Sequence, residues 1–231
     1  MKQTGLVIIY TMASLLLSAN LIAQTAIPGT AGERLQKAMA LEKTLETEQN
    51  PRALRELAMI YAVIAGLDDP EKATTLKAEG LLKKASTRMP GDYELMAAHG
   101  SVLTMLARYE KSSARQLHFV KKGFRKMDRA IRKDPDNIGA LMQRANNSLA
   151  MPPFLKRVHF ARKDFQRVLA LTEDKHDKTF KAMVLFKLGQ AQKRLNQQNK
   201  ARASWQQSSL LKAPRWSDQA ARELDELQEG R

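Results

Sequence analysis

The chain has 231 residues, no cysteine, a formal net charge of +15, 43% hydrophobic residues and only 6% aromatic ones. That length supports a sizeable core without covalent staples, and the missing thiol excludes a disulfide framework, a thiolate metal site, a cysteine nucleophile and a cysteine-borne lipid anchor. With so few aromatics the core must be built from Leu, Ala, Met, Val and Ile, which predicts helix-on-helix packing rather than a strand-rich sandwich.

The first 26 residues carry Lys2, an apolar run from Leu6 to Leu17, and small residues at Ala23 and Ala26. This is the order of a secretory signal, too short and too interrupted by Thr11, Ser14 and Ser18 for a membrane span. Cleavage is expected after Ala23 or Ala26; an uncleaved signal anchor is the alternative. Export without disulfides fits a bacterial periplasm, and removal of the segment takes away one charge, Lys2, leaving +14. Outside the cytoplasm a basic surface meets anionic lipid, acidic glycan or acidic protein rather than nucleic acid.

Residues 27–231 read as a single helical domain. A leading helix is predicted over 30–49, with Thr30 as its cap and Leu35, Ala38, Leu41 and Leu45 on one face. Two spacing motifs then alternate. The first runs Leu54, Leu57, Ala58, Tyr61; then Met96, His99, Gly100, Leu103; then Leu141, Arg144, Ala145, Ser148; then Leu185, Leu188, Gly189, Gln192. The second runs Ala78, Leu82, Ala85, Pro90; then Gly123, Met127, Ala130, Pro135; then Ala161, Phe165, Val168; then Ala201, Trp205, Ser208, Pro214. A small residue at a recurring place lets two helices approach closely, and the large residue beside it fills the gap. One such pair cannot bury its apolar face alone, so the pattern recurs.

These motifs resemble the tetratricopeptide repeat. The resemblance implies an all-α solenoid of about four antiparallel helix pairs, repeats at about 51–90, 93–135, 138–173 and 182–214, with a polar capping helix over 215–228. The units are longer than is usual in that family, with additional residues such as Gly66 to Pro70 and Met151 to Pro153. Repeat three lacks the closing Pro and carries Arg144 where a large apolar residue is usual.

No Gly-rich phosphate loop, nucleophile elbow or paired-carboxylate motif is present, and His99, His118, His159 and His176 are not spaced for a metal on one helix turn. No catalytic residue, metal or cofactor is therefore expected. Two binding surfaces are. The stretch Lys121–Asn137 packs seven Lys or Arg against three Asp; once Gly123, Met127 and Ala130 are assigned to packing, Lys121, Lys122, Arg125, Lys126, Arg129, Arg132 and Lys133 remain as an anionic docking surface or a solvated face. Lys156, Arg157, Arg162 and Lys163 continue the charge in the next repeat. Nucleic acid is disfavoured because no aromatic or base-reading groups are interleaved.

The resemblance also implies a concave groove lined by the first helix of each pair. Its lining would be Arg55, Met59 and Val63, then Ser101, Thr104 and Met105, then Met142, Asn146 and Leu149, then Met183, Phe186 and Gln190. Such a Met-rich groove suits an amphipathic helix, an extended peptide or a lipid-like molecule, unless the leading and trailing helices fill it. The expected function is a non-catalytic periplasmic binding or assembly module for a protein or peptide partner. The alternative is a transporter accessory or carrier of a small apolar ligand.

Overall fold

The computed structural model describes residues 27–172 and 177–229, the last two by their backbone. The expected secretory signal and its cleavage sites lie outside them, as does His176. Among the described residues ten α-helices and two short 3-10 turns account for the regular structure, with no strand. The chain groups into two compact units that divide between Asn147 and Ser148, inside a helix of the third repeat, so each unit is taken by itself.

In the first unit α1 (Ala31–Thr47) precedes the pairs α2 (Pro51–Leu67) and α3 (Lys72–Arg88), then α4 (Tyr93–Leu106) and α5 (Ser113–Lys133), and the start of α6 (Ile138–Ala150). Local chemistry places the helix starts. Thr30 and Glu33 close a reciprocal capping box on α1, Asn50 with Pro51 starts α2, and Asp92, Ser112 and Asn137 each accept an orphan backbone N–H of the helix that follows. Arg34, buried in α1, donates to both carboxylate oxygens of Asp68 at 2.7 Å and to the carbonyls of Pro28 and Gly29. This ties the leading helix to the end of α2.

The spacing motifs become the contacts. Leu54, Leu57, Ala58 and Tyr61 of α2 join Ala78, Leu82 and Ala85 of α3, and Leu95, Ala98, Val102 and Met105 of α4, in one apolar core. Between α4 and α5 the two glycines of the motif face each other: a Cβ built on Gly100 would lie 2.6 Å from the carbonyl oxygen of Gly123 and 2.9 Å from the Met127 side chain. Only a residue without a Cβ permits that backbone approach.

The second unit holds the end of α6, a 3-10 turn at Pro153–Leu155, then α7 (Val158–Leu171), α8 (Lys178–Arg194), α9 (Gln198–Leu210) and α10 (Trp216–Glu229). Trp205 of α9 is fully buried over Gly189 of α8, where no Cβ would fit, and its Nε1 donates to the carbonyl of Phe186 at 3.1 Å. α10 caps this core through Ala220, Leu224 and Leu227, while Asp218, Asp225 and Glu226 stay exposed. The Met151–Pro153 link is held from inside the unit by Arg194, whose guanidinium donates to the carbonyls of Leu149 and Met151.

Candidate interaction surface

The side chains that the repeat pattern assigns to a groove are mostly core. Met59 and Met105 belong to the apolar cluster of the first unit, and Ser101, Met142, Asn146, Leu149, Met183 and Phe186 are all buried. Arg55, Val63 and Gln190 are half-buried. The physical reason lies in the first helices, which carry apolar or small residues on nearly every side: α2, α4 and α8 each bury eleven residues. A helix that is apolar all round is enclosed rather than presented to a ligand. Two polar members, Ser101 and Thr104, are satisfied within the core by Asn147 of α6. Thr104 Oγ1 donates to Asn147 Oδ1 at 2.5 Å, and Asn147 Nδ2 donates to Ser101 Oγ at 2.9 Å, a buried network that fixes the register of α4 against α6.

One member of the set, Arg55, does reach an open cleft. Its Nε and Nη2 bind Asp92 at 2.5 Å and Glu94 at 2.7 Å, at the start of α4. The cleft beside them, about 490 Å³, is completed by Met89, Gly91 and Tyr93 and by Asp136, Asn137, Ile138 and Gly139 where α6 begins. Gly139 lets the Glu94 side chain lie close, since a Cβ there would stand 2.5 Å from its carboxyl carbon and displace it. Burial raises the Glu94 carboxyl above its usual range against the opposing effect of Arg55. Burial disfavours the Arg55 cation too, but Asp92 and Glu94 outweigh it and its pKa rises. Three carboxylates against one guanidinium leave the lining with a formal charge of −2 when all are ionised.

On the outside of the same unit the charge is reversed. Arg115, His118, Lys122, Arg125, Arg129 and Arg132 follow one another at steps of three and four along α5, and all are exposed. They form a stripe about 25 Å long at 1.5 Å per residue. Lys121 and Lys133 flank it, exposed; Lys126 is half-buried. Lys126 is lowered by burial first and then by the Lys122 and Arg129 charges, as expected where cations crowd. The carboxylates of the outer helices turn inward: Asp128 of α5 meets Arg144 at 3.1 Å, and Glu79 of α3 meets His99 at 3.1 Å. In the second unit Arg157 stacks on Phe160, with its guanidinium carbon 4.0 Å from the ring centroid, and Arg162 reaches Gln197.

No family model and no curated relative matches the chain. Among solved structures, it is similar to a thermophilic TPR protein from Thermus thermophilus, with a TM-score of 0.63 at 18% identity, over 85% of this chain and 92% of that one. The chain has a tetratricopeptide-like helical repeat fold. In repeat terms the cleft lies where the turns before the second and third repeats come together, at Met89–Glu94 and Asp136–Gly139. These turns carry aligned stretches of sequence, MPGDYE and DPDNIG. The repeat pattern places Arg55 but not its partners, whose signal lies in these stretches, each with an Asp or Asn cap beside further carboxylates. No group of His, Asp and Glu among the described residues is placed to hold a metal ion, and no described helix is long and apolar enough to cross a membrane.

Proposed function

We propose that the chain is a non-catalytic binding module that takes a basic peptide segment of a protein partner in the cleft between Arg55, Asp92, Glu94 and Asp136. One observation carries this: a cleft with a formal charge of −2 in a chain whose net charge is +15. Its volume lies in the range of built ligand sites, enough for a Lys or Arg side chain with its flanking backbone. At physiological salt the Debye length is about 8 Å, so a bound cation feels chiefly the carboxylates beside it rather than the distant positive surface. A helical repeat fold is a scaffold for such recognition, since loops and helix starts of successive repeats meet along one edge. Residues 1–26 support export as the route to the partner, and a bacterial periplasm as the place; fractionation with N-terminal sequencing of the mature chain tests both.

The binding test uses fluorescent pentapeptides that differ only in a central Lys, Arg, Gln or Glu. The basic peptides are expected to bind at least about tenfold tighter than the Gln peptide, and Asp136→Lys, at an exposed position, to abolish the difference. Equal binding of all four peptides, or a difference that survives Asp136→Lys, overturns the assignment.

A further inference from the structure

We infer that the outward faces of α3 and α5 form a docking surface for an anionic phospholipid leaflet. The two helices lie side by side on α4: the Glu79 carboxylate of α3 meets His99 of α4, and His99 in turn feels the charges of Lys122 and Lys126 of α5. Lys72, Lys83, Lys84 and Arg88 are exposed on α3, and Lys121, Lys122, Arg125, Arg129, Arg132 and Lys133 on α5. None of these ten forms an ion pair among the described residues, although Arg34, Lys37, Arg55, Lys77 and Lys193 all do. The only carboxylates on the two helices, Glu79 and Asp128, are turned inward onto His99 and Arg144. What remains outside is a field of cations two helices wide.

The shape of that field selects the partner. A single acidic helix covers one stripe of about 25 Å, whereas a second parallel set of cations on α3 calls for anions spread in two dimensions. The apolar residues of α5 point the other way: Phe124, Met127 and Ile131 are buried, and Leu76 of α3 is the one large exposed apolar side chain on the pair among the described residues. Docking is therefore by headgroup contact, in which each cation near the surface adds roughly a factor of five in affinity at low salt. Four of the stripe residues are arginines, Arg115, Arg125, Arg129 and Arg132; Arg115 pairs with Glu110, and the planar forks of the other three suit phosphate oxygens. Nucleic acid shares those phosphates, but stacking on exposed aromatics, which single-strand recognition needs, has no platform here.

The experiment is vesicle cosedimentation of the full chain with phosphatidylcholine alone and with phosphatidylcholine containing about one third phosphatidylglycerol, at about 0.05 and 0.5 M NaCl. The apolar run Leu6–Leu17 adds to binding of both lipids, so the readout is the ratio of anionic to neutral. Two triple variants carry the same charge change: Lys122→Glu, Arg125→Glu, Arg129→Glu on the field, and Lys43→Glu, Arg52→Glu, Lys200→Glu off it, all at exposed positions. Circular dichroism confirms that each is folded. The expected result is an anionic preference that falls at least tenfold at high salt, is lost by at least about 100-fold in the field variant, and changes less than about threefold in the other. Equal losses in the two variants would reduce the effect to net charge and overturn the inference. So would wild-type protein that ignores the anionic lipid, or tighter binding to polyglutamate or duplex DNA than to the anionic vesicles.

Discussion

Gly100→Ala tests the helix packing, because local and tertiary physics predict opposite signs. In an isolated helix the substitution stabilises by about 1 kcal/mol. In this structure the new Cβ would meet the Gly123 carbonyl oxygen at 2.6 Å and Met127 Cγ at 2.9 Å. Ordinary contact begins near 3.4 Å, so α5 must retreat from α4 by several tenths of an ångström, and the obstructing atom is backbone that cannot rotate away. Overpacking of this kind costs about 1–3 kcal/mol, and opening the buried Thr104–Asn147–Ser101 network beside it adds to the loss. The net expectation is destabilisation by about 1–2 kcal/mol, or about 2–8 °C in Tm for a chain this long. Gly80→Ala is the internal comparison: it also lies within a helix, yet nothing stands within 4 Å of its Cβ, so it should stabilise by about 0.5–1 kcal/mol. Guanidinium denaturation of the three proteins measures both. If Gly100→Ala matched Gly80→Ala in sign, the close approach of α4 and α5 would be refuted.

Two further expectations concern buried polar groups. Trp205→Phe replaces the indole with a smaller phenyl ring, so it removes both the Nε1 donor to the Phe186 carbonyl and the packing of the five-membered ring over Gly189, and should cost about 2–4 kcal/mol in denaturant unfolding. His99 is lowered from 6.5 by burial first, with Lys126 and Lys122 adding to that and Glu79 opposing it. Its unfolded form thus takes up a proton at a higher pH than its folded form, so its contribution to stability is complete above about pH 6.5 and is lost as pH falls toward the depressed folded value. The denaturation midpoint should drop between pH 7.5 and 5.5, and His99→Gln, which can still reach Glu79 but does not titrate, should flatten that slope.

The repeat architecture was legible because its determinants are local. Small residues such as Ala78, Ala85 and Gly123 at fixed steps from Leu82 and Met127 report a close helix crossing wherever they recur, and Ala161, Phe165 and Val168 do so even without the closing Pro. The cap at Thr30 was readable for the same reason. The groove was not, because a Met at a first-helix position has the same pattern whether it faces a ligand or the next helix; Met59 and Met105 are set in the core by neighbours distant in sequence. The cleft depends on long-range meetings as well, Arg55 with Asp92 and Glu94 across nearly 40 residues, which no periodicity encodes. The basic face lay between these cases: the residues were evident in the sequence, but the inward turn of Glu79 and Asp128, which strips the face of carboxylates, was not.

The central claim is that a partner enters the cleft with a basic residue, and a photocrosslinking amino acid in place of half-buried Tyr93 tests it most directly in cells that express the full chain. The expected crosslink maps within a few residues of a Lys or Arg of one partner and is lost on Asp136→Lys. Crosslinks that map to acidic or apolar segments, or that persist unchanged in Asp136→Lys, would contradict it.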